Sequence, residues 1–153
     1  MSLATETEMS RSEVDDFLSN TETGVISLAQ EDDPYSLPIS YGYDADAGIF
    51  YMRLVSTPDS QKRAFLGSEP QVRLVVYDEN DDGTLYRSVV AAGVLDEIDP
   101  TEMSIEEIEQ YGETRRPLFE IWGAEKDELD IQLYRLDPSE LTGRRTEIDR
   151  DDA

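Results

Sequence analysis

The chain has no cysteine and no histidine. Without cysteine there is neither a disulfide framework nor a thiolate metal centre. Without histidine there is no serine–histidine triad, no imidazole base and none of the commonest transition-metal ligands. Lysine is nearly absent as well, with Lys62 and Lys126 the only two. No apolar run approaches the roughly 18 residues a membrane-spanning helix needs. The opening MSLATETEMS lacks the basic and apolar regions of a signal peptide. A soluble, cytoplasmic protein with no membrane contact is expected.

What the chain has in abundance is negative charge: 36 acidic against 13 basic residues, a formal net charge of -23 over 153 residues. That length is one ordinary domain, able to bury a core without staples. The acids are spread from Glu6 to Asp152 between good apolar runs, which argues against wholesale disorder. A nucleic-acid mimic would present a more regular acidic array, and no nucleic-acid partner is expected. A surface adapted to high salt fits best, because short Debye lengths screen the self-repulsion of so negative a compact state. Arginine outnumbering lysine 11 to 2 agrees with it.

Residues 1–8 read as a disordered arm, residues 9–145 as one domain and residues 146–153 as an acidic tail. MSRSEVDDFL carries a capping box, with Ser10 as N-cap and Glu13 three residues on, and Met9 and Val14 placed as a hydrophobic staple. Val14, Phe17 and Leu18 then line one face of a short helix. The period changes after Gly24. GVISLAQ (24–30), SLPISYGY (36–43) and GIFYMRLV (48–55) are β-branched and aromatic runs separated by the turn-rich EDDPY and DADAG. QVRLVVYD (71–78), TLYRSVVAAGVLDEI (84–98), with Gly93 as a candidate bulge, and ELDIQLYRLDP (128–138) continue the strands. Short helices are expected over 57–67 and 101–111, while RRPLFEIWG (115–123) reads as either helix or strand. About six strands with small helices inserted predict a mainly β, antiparallel barrel with α additions, not alternating βαβ units.

One stretch departs from the acidic background. YMRLVSTPDSQKRAFL (51–66) gathers Arg53, Lys62 and Arg63 around Ser56 and Thr57, where Thr57 suits an N-cap and Pro58 the first helical position. A helix start offers unpaired amides and a positive dipole end, so residues 57–60 suit a phosphate. Arg53 would approach it from a strand end and Lys62 from the next helical turn. Asp59 argues the other way, because it already satisfies the dipole. On spacing alone, an ordinary surface helix with weak salt bridges is an equal reading.

The order of these segments along the chain separates the two. GVISLAQ, PYSLPISYGY, GIFYMRL, STPDSQKRAFL and PQVRLVVYD in succession resemble the pyridoxamine phosphate oxidase-like family of FMN-binding split barrels, well over residues 10–98 and more weakly to 145. The resemblance implies a six-stranded antiparallel Greek-key split barrel that forms a homodimer, with FMN in the groove between subunits. It implies that Pro38, Ile39, Ser40 and Tyr41 run along the isoalloxazine ring, and that Arg53, Ser56, Thr57 and Lys62 surround the phosphate. It also places Ser88 where a polar side chain reaches the flavin. Trp122 could stack on the ring from the partner subunit; the simpler reading is a core or interface residue. Arg115, Arg116, Arg144 and Arg145 read first as surface partners of carboxylates, and Tyr41, Tyr43 and Tyr51 as half-buried strand aromatics. No acidic spacing matches an EF-hand loop.

The resemblance to true pyridoxamine phosphate oxidases stops at the C-terminal segment, which in those enzymes carries arginine and histidine for the substrate. LDPSELTGRRTEIDRDDA does not reproduce it. The expectation is therefore an FMN-dependent oxidoreductase of unassigned substrate and unassigned catalytic residue, not a vitamin B6 oxidase. A deazaflavin-dependent reductase on the same fold, a flavin-binding module without turnover and an acidic interaction protein are the alternatives.

Overall fold

The structure, a computed structural model, describes residues 4–30, 32–56, 70–98 and 130–149. Among them are a helix, α1 (Arg11–Asn20), and eight strands: β1 (Ala4–Glu8), β2 (Thr23–Gln30), β3 (Asp33–Ser40), β4 (Gly42–Asp44), β5 (Ile49–Ser56), β6 (Gln71–Glu79), β7 (Leu85–Ile98) and β8 (Asp130–Ile148). Neighbouring strands run β3-β2-β6-β7-β8-β5-β4, with β1 added beside β8. β3 and β4 stand at opposite ends of that order, yet only Tyr41 separates them in sequence. Residues 33–44 are thus one bent strand that pairs first with β2 and then with β5. The bend closes the sheet on itself. Six strands form the wall in Greek-key order, the mainly β split-barrel architecture expected from the sequence.

Alternation explains which residues fill it. Val72, Leu74 and Val76 of β6 point inward while Gln71, Arg73 and Tyr77 are exposed. Val89, Ala91 and Leu95 of β7, Phe50 and Met52 of β5, and Tyr134 and Leu136 of β8 join the same core. Phe50 is central, with the Tyr41 ring edge-on at 5.5 Å and the Tyr43 ring tilted at 4.8 Å. Helix α1 adds Val14, Phe17 and Leu18. Ser10 caps it as expected, its Oγ accepting the Glu13 N–H at 3.2 Å, and the Glu13 carboxylate accepts from Arg145 at 2.9 Å. Met9 and Val14 are both buried against Gly143, where an added Cβ would lie 2.8 Å from Val14 Cγ2 and 3.0 Å from Met9 Sδ.

Two boundaries differ from expectation. Residues 4–8, read as part of a disordered arm, form β1, paired with β8 from Ala4 opposite Ile148 to Glu8 opposite Arg144. A ladder needs backbone rather than apolar side chains. The threonines suit the pleat, and Arg144 meets Glu6 at 3.2 Å. Likewise β8 runs on to Ile148 instead of ending at Pro138. The register shifts there: Ala92 faces Glu140 while Gly93 faces Pro138, which leaves Ser139 as the extra residue of a bulge. Ser139 Oγ donates to the Ala92 carbonyl at 3.1 Å. Gly93 is required because a Cβ would sit 2.9 Å from the Asp137 carbonyl oxygen. Pro138 keeps its place opposite Gly93, the bulge absorbs Ser139, and the strand continues to Ile148. The helices expected over 57–67 and 101–111, and the segment 115–123, lie outside the described residues. Among the described residues no helix is long and apolar enough to cross a membrane.

Candidate functional site

Along residues 33–44 the odd positions Tyr35, Leu37, Ile39, Tyr41 and Tyr43 belong to or pack against the core, and the even positions face outward. Pro34, Ser36 and Pro38 are exposed, as outward residues should be. Ser40 and Gly42 are not: Ser40 is only 4% exposed, and Gly42 is buried. Gly42 pairs with Tyr51, which is also 4% exposed although it lies outside the core cluster that holds its chain neighbours Phe50 and Met52. On its other side Tyr51 pairs with the half-buried Arg135. Ser40, Gly42, Tyr51 and Arg135 therefore form a patch on the outer wall. Further along β5, position 53 pairs with Leu133 in the ladder.

Within the patch the Ser40 hydroxyl finds no hydrogen-bond partner among the described residues. A buried hydroxyl in that state costs about 1–3 kcal/mol. The same two strands show the alternative: Ser27 and Ser36, directly opposite each other on β2 and β3, bond hydroxyl to hydroxyl at 2.8 Å. Ser40 faces Thr23 in the same ladder.

Of the residues expected at a cofactor, Pro38 and Ser40 lie on this outer wall. Ile39 and Tyr41 do not present their side chains there, because strand alternation turns both into the core. Only their backbone is available to a ligand outside. The Tyr41 hydroxyl donates to the Leu18 carbonyl at 2.9 Å and is hydrogen-bonded to Thr21 Oγ1. Burial pushes its pKa up to about 12. Tyr43, half-buried, donates to Asp15 Oδ1 at 2.6 Å, and burial with that carboxylate raises its pKa as well.

Ser88 is half-buried and faces outward on β7 between Tyr77 and Arg144. Continuing the β2–β6 register, Thr23 and Tyr77 separate it from Ser40, so it lies three strands away, roughly 14 Å along the wall at the usual strand spacing. One chain does not bring Ser40 and Ser88 together. Arg53 and Ser56 are on β5, with side chains outside the described residues. Thr57, Lys62, Arg115, Arg116 and Trp122 also lie outside them. Arg144 pairs with Glu6, and Arg145 with Glu13, as expected of surface cations among carboxylates. Sequence reasoning missed the shared outer face of Gly42, Tyr51 and Arg135. The alternation of LYRL sets Arg135 beside Leu133, but pairing with Tyr51 depends on register between distant strands.

A hydroxyl donor, a gap left by glycine, a flat phenol and a flanking cation are suited to a planar polar ring with an anionic tail. Among the described residues no cluster of acidic side chains could hold a metal ion. A second face is also distinctive. Val25, Val75 and Val90 stand in a row across β2, β6 and β7, with Tyr77 69% and Val94 36% exposed nearby. Apart from Arg73, the charges on that face, Glu79 and Asp96, sit at its margins.

A family model described as pyridoxamine 5'-phosphate oxidase matches residues 10–145. No curated protein matches the sequence. Several solved structures share the fold. A candidate pyridoxamine 5'-phosphate oxidase from Corynebacterium glutamicum is 17% identical, with 95% of this chain and 96% of that one covered and a TM-score of 0.67. An FAD-binding protein from Mycobacterium smegmatis is 17% identical over 92% and 98% of the two chains, TM-score 0.66. Another from Mesorhizobium loti is 19% identical over 96% and 99%, TM-score 0.66.

Proposed function

Because the chain belongs to the pyridoxamine 5'-phosphate oxidase family, we propose that it is a homodimeric flavoprotein holding FMN against the outer wall beside Ser40, Gly42 and Tyr51. The observation that carries this reading is the burial of those three residues on the side of the wall away from the core, Ser40 with a hydroxyl that has no partner among the described residues. The ring lies along residues 38–41, meeting the backbone of Ile39 and Tyr41 and the side chains of Pro38 and Ser40. The phosphate is held by Arg53, Lys62, the hydroxyls of Ser56 and Thr57, and the amides of 57–60. When bound, flavin supplies two-electron redox chemistry, and the chain's part is to bind, orient and exclude water. The substrate is one other than pyridoxamine phosphate, since the chain has no histidine to supply that family feature.

A second copy completes the site. Ser88, three strands from Ser40 within one chain, reaches the flavin from the partner subunit, and Trp122 borders the same groove. The docking face is the outer side of β2, β6 and β7. On a surface of net charge -23 a second equally acidic copy is repelled everywhere except at a face nearly free of charge. Two structural neighbours are described as FAD-binding. FAD carries the same riboflavin phosphate, so it is the competing cofactor.

Purified in molar potassium chloride, the protein should be yellow and should bind FMN more tightly than riboflavin in fluorescence titrations. Lys62→Ala should erase that difference. Equal affinities for the two would sink the phosphate assignment, FAD binding tighter than FMN would replace the cofactor, and no flavin binding would end the reading. A 17.3 kDa monomer at full flavin occupancy by light scattering would refute the dimer.

A further inference from the structure

We propose that Arg87 and Arg145 form a site for a small monovalent anion, chloride in a saline medium, at the end of the barrel that helix α1 covers. The two arginines stand directly opposite each other in the β7–β8 ladder. Ser88 faces the outer wall, so Arg87 points the other way, toward α1, where its guanidinium lies 4.9 Å from the centre of the Phe17 ring. Like charges directly opposite on neighbouring strands repel. In a chain with 36 acidic and 13 basic residues an acid at either position would remove that repulsion, yet both are arginine, and the next residue in the row, on β1, is the uncharged Thr7. Carboxylates hold the pair only from its flanks. Asp78 on β6 accepts from Arg87 Nε at 3.2 Å and Nη2 at 2.8 Å, and Glu13 on α1 accepts from Arg145 Nη1 at 2.9 Å. Arg87 Nη1 and Arg145 Nη2 and Nε are left without a hydrogen bond among the described residues; Nε is buried, and Glu147 Oε1, at 3.6 Å, is beyond bonding distance. Both arginines border a cavity of about 280 Å³ with Glu13, Phe17 and Asn20. Donors from two separate guanidiniums suit a spherical acceptor, whereas a carboxylate wants a parallel pair on one guanidinium edge. Asp78 already takes that edge of Arg87, and Glu147 stands beside that of Arg145. A dianion is disfavoured by Glu13, Asp78 and a net charge of -23. Concentrated salt screens the long-range repulsion and leaves the short contacts, so the site fills where chloride is plentiful. The proposal does not depend on the flavin reading.

Melting curves in potassium chloride and in potassium gluconate of equal molarity separate the site from general screening. General salt effects act alike on the unsubstituted protein and on Arg145→Gln, so the quantity to compare is the Tm difference between them in each salt. A site half-filled at about 0.2 M should make that difference roughly 2–4 °C larger in molar chloride than in molar gluconate. Glu13→Gln breaks the same ion pair but keeps the donors, and it should respond to chloride as the unsubstituted protein does. The same Tm difference in both salts overturns the proposal. So does a Glu13→Gln variant that loses the chloride response, because the ion pair itself would then be reading the salt. Line broadening in chloride NMR needs no variant and decides the matter if Arg145→Gln does not fold. The unsubstituted protein should broaden the line, and added bromide should reverse the effect; no broadening, or broadening that bromide leaves unchanged, overturns the site.

Discussion

Replacing Tyr41 by phenylalanine removes one oxygen from the point where helix α1 meets the bend that closes the barrel. Tyr41 is buried, and its hydroxyl donates to the Leu18 carbonyl at 2.9 Å and accepts from Thr21 Oγ1. The phenylalanine ring keeps the edge contact with Phe50 but leaves the buried Leu18 carbonyl with only the longer 3.4 Å contact from Thr21 Oγ1. A lost net hydrogen bond with a poorly satisfied acceptor amounts to about 2 kcal/mol, or roughly 4–8 °C in Tm. The pH dependence gives a second readout. Burial raises the Tyr41 pKa from 10.0 to about 12. Below pH 10 the phenol is neutral in both folded and unfolded chains, and its contribution is fully present. Between pH 10 and about 12 the unfolded chain releases a proton that the folded chain retains, so stability falls as pH rises, by on the order of 2–3 kcal/mol across the window. Urea denaturation of both proteins in molar potassium chloride, from pH 8 to pH 12, measures the two effects together. Tyr41→Phe should start lower and decline less steeply, with Tyr43 and other groups supplying the slope that remains. A loss under about 0.5 kcal/mol at pH 8, or parallel alkaline slopes, would refute the assignment of that hydroxyl.

Gly24→Ala would place a Cβ 2.7 Å from the Val75 carbonyl oxygen, a backbone atom that cannot rotate away, whereas Gly143→Ala meets only the side chains of Val14 and Met9. The first should cost about 2–3 kcal/mol and the second less, and urea midpoints in the reverse order would show that the β2–β6 ladder yields more easily than the staple. Val75→Asp sets a carboxylate in the middle of the proposed docking face, so sedimentation should find a folded monomer with reduced flavin occupancy; an intact dimer would move the interface elsewhere. Raising salt shortens the Debye length from about 10 Å at 0.1 M to about 3 Å at 1 M, which relieves repulsion between two chains of -23 more than it screens a partly buried phosphate site. FMN occupancy should therefore climb with potassium chloride, and a steady fall with the dimer intact would contradict the high-salt reading of the composition.

Local patterns made most of the wall legible. Alternation in QVRLVVYD and TLYRSVVAAGVLDEI gave strands within a residue or two of β6 and β7, and Gly93 announced its bulge. The misses were long-range. Nothing in ATETE reveals a strand until β8 offers it an edge, and nothing in SELTGRR argues against a loop until a bulge at Ser139 lets the ladder with β7 continue past Pro138. SLPISYGY reads as one strand because its alternation is unbroken, while the break at Tyr41 comes from changing partners, β2 for β5. For the proposed phosphate site, cations are conspicuous in so acidic a sequence, and Arg53 and Lys62 are legible on that ground alone. Ser40 entered only through its place in the resembling segment. Its isolation, and the separation of Ile39 and Tyr41 from the outer wall, depend on which way each residue of that strand faces and on what its neighbours lack.

β8 lies between β7 on one flank and, on the other, β5 along its first half and β1 along its second. Of the described strands it is also the last to be synthesised. While the ribosome is still adding residues before Asp130, the flanks of β5 and β7 that β8 will occupy have no partner, and each is an open template for the equivalent strand of another nascent chain. Among the described residues no earlier strand pairs at those flanks, so closure of the wall waits for β8. Polysomes set many such half-built sheets side by side. The acidic surface keeps neighbouring copies apart during that interval, and in this respect the charge protects the protein before it has a folded surface to solubilise.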